Sequence, residues 1–97
     1  MGKRQRQEVM NEVTAVTDIR MRKYKELDQI LAPSLGLTGD RLAEEVDLIR
    51  ARFEKTGEVS PRIPPELKHK AVHIMLEAKA LWRVHLELMA EYSGLKG

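Results

Sequence analysis

Glu66, His69, His73 and Glu77 follow one another at steps of three, four and four residues. On an α-helix that spacing gathers all four side chains on one face. Imidazole and carboxylate are ligands for zinc, iron or manganese, and a Glu-x-x-His pair occurs in di-iron helix bundles. Those centres need carboxylates from further helices, and Glu44 and Glu45 are the only close acidic pair in the middle helix. Lys68 and Lys70 flank the histidines and oppose a dication. The set is therefore read as a solvated polar face with no metal or other cofactor, and His69 and His73 are the only ligand candidates.

Other chemistries have less to work with. The chain has no cysteine, which excludes a disulfide framework, a thiolate zinc site and a cysteine nucleophile. Its serines are Ser34, Ser60 and Ser93, and none stands beside a plausible base. There is no glycine-rich phosphate loop. An enzyme is accordingly not expected.

Two arginine-bearing features read as binding elements. Arg20 falls on the apolar stripe of the first helix, between Val16 and Leu27. A guanidinium there requires a counter-charge, and the expected partner is Glu45 or Glu77. The alternative is that Arg20 takes an anion or a protein partner. "RMRKYK", residues 20–25, is the densest basic cluster. Residues 1–25 carry seven Lys or Arg against three acids, although the whole chain has a net charge of only +2. Lys3, Arg4, Arg6, Arg22, Lys23 and Lys25 are thus candidates for phosphate contacts, in a basic N-terminal region whose residues 1–7 read as a flexible tail. His85 lies on the apolar face of the last helix, where a polar partner on a neighbouring helix is expected.

The elements that must position these groups are all helical. Val9, Val13, Val16, Leu27 and Leu31 recur at helical steps, and predict a first helix from about Lys3 to Leu31 that is stopped by Pro33 and Gly36. Leu42, Val46, Ile49 and Phe53 mark a second, from about Gly39 to Lys55, with Thr38 as N-cap and Gly57 as C-cap. Residues 56–64 form a Pro-rich linker, and Pro65 suits the first turn of a third helix that runs to about Ser93. That linker is too long for the turn of a helix-turn-helix, whose readers would have been Lys68, His69, Lys70 and His73.

The third helix is apolar on two sides. Its broad stripe holds Leu67, Ala71, Ile74, Met75, Ala78, Leu81, Trp82, Leu88, Met89 and Tyr92, and its narrow one Val72, Leu76, Leu86 and Ala90. A helix apolar on two sides is buried on two sides. The expected fold is therefore an all-α single domain over residues 1–97, a small bundle of long, short and long helices. The long helices run antiparallel and dimerisation completes the bundle.

"YKELDQIL", residues 24–31, resembles part of the first helix of the small all-helical chorismate mutases. The resemblance covers about a dozen residues. It implies an intertwined helical dimer that holds its substrate with arginines. The later motifs of that family do not follow, and Pro33 stands where its helix continues, so no residue role is carried over.

The function expected from these residues is binding: a small oligomeric interaction module, acting as an adaptor, assembly factor or inhibitor of a larger complex. Tyr24, Trp82 and Arg20 are the expected partner contacts. Its partners would be a second copy and another protein, with a nucleic-acid-binding regulator as the alternative. No run is apolar enough to span a bilayer, and no signal peptide is apparent. A cytoplasmic location is expected.

Overall fold

A computed structural model describes residues 4–95 and resolves them into three helices, α1 (Arg6–Leu35), α2 (Gly39–Thr56) and α3 (Pro65–Gly94). No strand occurs among the described residues, and none of the helices is long and apolar enough to cross a membrane.

Helix α1 begins after the extended Gln5, so Arg6 and Gln7 are helical rather than part of a tail. It also outlasts its expected end at Leu31, because Pro33 sits inside the last turn. A proline removes only its own N–H bond and crowds the carbonyl four residues back. Leu31 and Leu35 on either side of it remain packed on the core, which holds that turn in place. The stop is Gly36, whose left-handed φ of 66° closes the helix with its N–H donated to the Ala32 carbonyl. Gly57 ends α2 in the same way, at φ 78° with its N–H on the Phe53 carbonyl.

Residues 57–64 run back along the outside of α2. Arg52 pairs with Glu58 at 2.9 Å and Arg62 with Glu45, so the linker descends as the helix numbering falls. Buried Ile63 pins its end to the core, and Pro65 opens α3 at the first helical position.

Helices α1 and α3 are antiparallel along their length: Arg4 meets Glu91 at one end, and Lys23 meets Glu77 near the middle. The shorter α2 covers only the C-terminal half of α1. The core is divided accordingly. Leu27 and Leu31 of α1 meet Val46, Ile49 and Phe53 of α2 and Ala71, Ile74 and Met75 of α3. A second, smaller cluster of Val9, Val13 and Leu88 lies between α1 and α3 alone. The result is a rod of 52 × 25 × 17 Å with a three-helix half and a two-helix half.

Candidate functional site

The point where α2 ends is where the polar groups collect. Arg20 and Tyr24, one turn apart on α1, face Arg50 and Glu54, one turn apart on α2, and Trp82 of α3. These five residues line a cavity of about 320 Å³. Helical spacing places them: Arg20, Tyr24, Leu27 and Leu31 share one stripe of α1, so the stripe that fills the three-helix core continues into the cavity.

Both arginines lie on aromatic rings. The Arg20 guanidinium is 4.5 Å from the centre of the Trp82 ring, and that of Arg50 is 4.4 Å from the centre of the Tyr24 ring. Trp82 also stacks on His85, with ring centres 5.1 Å apart and planes 10° apart. The ring faces attract the cations, but they do not accept the in-plane N–H bonds. Arg20 Nε and Nη1, Arg50 Nε and His85 Nδ1 are all buried without a hydrogen-bond partner.

This corrects two expectations. Arg20 is buried, at 8% exposure, but it has no salt bridge to Glu45 or Glu77. Glu45 is taken by Arg62 from the returning linker, and Glu77 lies beside Lys23 and His73. His85 does not hydrogen-bond a polar group of a neighbouring helix through Nδ1. It stacks on a tryptophan of its own helix instead. Arg50 and Glu54 were not picked out from the sequence. Their i, i+4 spacing, with Asp47 three residues before Arg50, looks like an ordinary surface ion-pair run. Arg50 Nη1 does span both Glu54 oxygens at 3.3 Å, and Arg50 Nη2 lies 3.5 Å from Asp47.

The three expected partner contacts, Arg20, Tyr24 and Trp82, are thus brought to one place. His69 and His73, the ligand candidates of a face read as metal-free, gain no further ligand among the described residues. His69 is exposed, and His73 Nε2 lies 3.0 Å from Glu77 Oε1. The Lys23 ammonium, 3.0 Å from Glu77 Oε2, holds the Glu77 carboxyl below its ordinary range by hydrogen bonding and charge. No group of three or more potential ligands gathers among the described residues.

The basic residues are dispersed as well. Lys3 lies outside the described residues. Arg4 is held by Glu91 and Glu12, hydrogen bonds that raise its pKa and lower that of Glu91. The Arg6 guanidinium rests 4.2 Å from the centre of the Tyr92 ring, and Lys23 is paired with Glu77. Arg22 and Lys25 are exposed.

A second feature adjoins the cavity. Tyr24 and Asp28 lie on the side of α1 that meets α2: Tyr24 carries Arg50, and Asp28 feels the charge of Asp47. Followed towards the N-terminus, that side carries Met21, Thr17 and Met10. Across from them on α3, Trp82, Leu86 and Met89 succeed one another at steps of four and three. No part of α2 reaches this height. Met21, Trp82 and Leu86 stand 43%, 42% and 50% exposed, along an open groove where a third helix would lie. No protein-family profile, curated protein or solved structure matches this chain.

Proposed function

We propose that this chain is a helical interaction module that self-associates through its two-helix half. The open groove above α2 supports this reading most directly. In the lower half each long helix is covered by two neighbours, whereas in the upper half each has one, and large apolar side chains line the uncovered side. A contiguous apolar patch of this kind on a small helical protein marks an interaction surface.

A second copy suits the groove. Two two-helix halves placed face to face across a two-fold axis make a four-helix bundle, and each groove is then filled by the other's α1 and α3. Such an interface uses one patch on both subunits, so every apolar residue counts twice. Trp82 would be its aromatic anchor, at the lower edge of the groove.

Sedimentation equilibrium on the purified chain tests the proposal. The expected mass is twice the 11.1 kDa of one chain. Leu86→Glu places a charge in the interface and weakens dimerisation by about a hundredfold, as burying an unpaired charge implies. Leu48→Glu is the control: Leu48 is 66% exposed but belongs to α2, away from the groove, and its variant dimerises like the parent. A monomer at high micromolar concentration, or a dimer indifferent to Leu86→Glu, refutes the model.

A further inference from the structure

Buried polar atoms in folded proteins are nearly always hydrogen-bonded. Five side-chain atoms break that rule among the described residues: Arg6 Nε, Arg20 Nε and Nη1, Arg50 Nε and His85 Nδ1. Arg6 lies at the far end of the rod over Tyr92. The other four belong to three residues around one feature. Arg20 and Arg50 line the cavity at the end of α2, and His85 stacks on Trp82, which also lines it. The unsatisfied atoms are themselves closed to solvent, but two of the side chains that carry them, Arg20 and Arg50, border the opening.

The charged side chains at the opening sum to a net positive charge. Arg20 and Arg50 bring two guanidiniums to the cavity and Glu54 brings one carboxylate. Glu54 is engaged with Arg50 alone, through contacts of 3.3 Å that are long for a charge-assisted bond. Asp47 reaches Arg50 only at 3.5 Å. Arg20, more than nine-tenths buried, has no carboxylate at all. A desolvated guanidinium without a counter-ion is costly to keep, and replacing it by an apolar chain of similar volume would relieve the fold. The arrangement becomes favourable once an anion enters.

We propose that this cavity is a binding site for a small oxyanion, a carboxylate or phosphate group carried on a small molecule. The anion pairs with Arg20 and shares Arg50 with Glu54. Guanidinium forks match planar carboxylate and tetrahedral phosphate alike. The rings of Trp82 and Tyr24 hold both forks from one side and keep them oriented before the ligand arrives. At about 320 Å³ the cavity is at the small end of ligand sites, with room beyond the oxyanion for a compact body. The site lies within one protomer and does not depend on self-association.

The test uses the full chain with two probes, sodium benzoate and inorganic phosphate, each titrated at constant ionic strength against sodium chloride. Trp82 is the only tryptophan and also borders the proposed interface, so its fluorescence is read at a protein concentration where the sedimentation mass does not change on adding the probe. The Nε–H resonances of Arg20 and Arg50 give a second reading. A saturable change in both signals with benzoate, phosphate or both is expected, and the stronger probe identifies the group. Arg20→Met is expected to weaken binding by about tenfold or more, the loss of one charge-assisted pair. The same variant is expected to unfold at a higher temperature than the parent, which separates loss of the site from loss of the fold. Glu54→Gln removes the competing carboxylate and tightens binding by about threefold. Changes no larger than those with chloride, or saturable binding that survives both Arg20→Met and Arg50→Met, overturn the proposal.

Discussion

The two halves of the rod are built from the same two long helices but are held together differently. In the lower half, α2 and the returning linker close the sides, and Leu27, Leu31, Val46 and Met75 are shielded almost completely. In the upper half, Val9, Val13 and Leu88 face each other across a single helix–helix seam, flanked at its end by Arg4 on Glu91 and Glu12 and by Arg6 on Tyr92. The contrast shows how one helix can serve two purposes. Where it is enclosed by two partners it is structural, and where it has one partner its remaining apolar surface is available for association. Between the halves lies the cavity, at the place where the cover of α2 ends.

The same substitution made in each half provides the largest test. Leu27 is 1% exposed in the three-helix core and Leu88 is 8% exposed in the two-helix seam. Leu27→Ala leaves a cavity that its neighbours on three helices cannot fill, and is expected to cost about 4 kcal/mol in urea unfolding. Leu88→Ala, at a seam that can collapse, is expected to cost about 2 kcal/mol in the monomer. The Leu88 penalty should also grow with protein concentration, because the seam underlies the proposed interface. Equal costs at every concentration would erase the distinction between the halves.

Amide hydrogen exchange gives a second, position-by-position test. At low concentration, residues 8–18 and 84–93 are expected to exchange faster than residues 24–31 and 71–79, since few buried contacts resist their opening. Raising the concentration should protect the upper segments selectively. Protection that is uniform along α1 would mean that the two-helix half needs no partner.

The three helices and their order were legible in the sequence, from the apolar stripes, but the division into two halves was not. The narrow stripe of α3, expected to be buried, leaves Leu76 and Leu86 51% and 50% exposed in the single chain. Of the two stops expected for α1, Gly36 ends the helix and Pro33 does not. Its position in the final turn meant that only one hydrogen bond was at stake, with leucines on either side to keep the turn packed. Arg20, Tyr24 and Trp82 were named individually, since a buried cation and scarce aromatic residues stand out in any sequence. Their meeting was not predictable, nor was the role of Arg50. Both depend on the height at which α2 ends, and that is fixed by three-dimensional packing of the loop at Gly36 and the linker at 57–64. The missing counter-ion for Arg20 has the same origin, because Glu45 and Glu77 are claimed by Arg62 and Lys23, residues distant from each in sequence.

Acid should loosen both regions through particular pairs. Glu77 and Glu91 have pKa values lowered in the folded state, chiefly by hydrogen bonds from Lys23 and Arg4 respectively. Their stabilising contribution is complete above the unfolded glutamate pKa of about 4.3 and is lost as pH falls through the lower folded values. A carbon-13 titration of the side-chain carboxyls should find both midpoints below the unfolded glutamate value. Glu91→Gln should abolish the acid-dependent part of upper-half protection, with an effect smaller than either leucine substitution, since the pair is partly solvated. Midpoints at or above the unfolded value would remove these pairs from the account of the rod.

The smallest expected effect has the opposite sign and belongs to the seam between α1 and α2. Asp28 is partly buried against α2, and its pKa is raised first by desolvation and then by the nearby charge of Asp47. A carboxyl whose pKa is higher folded than unfolded opposes folding while it is ionised. That penalty is fully present above the folded pKa and vanishes as pH falls below the unfolded value of about 3.9. Asp28→Asn is therefore expected to stabilise the chain at pH 7, by about 0.3 kcal/mol once solvent screening is allowed for. The gain should disappear at pH 3, where the parent aspartate is already neutral. Asp47→Asn should give a smaller gain of the same sign, because it removes the repulsion and leaves the desolvation. If Asp28→Asn destabilises at pH 7, the carboxylate has a partner on α2, and the contact between the two helices is polar and specific where the present arrangement makes it merely tolerated.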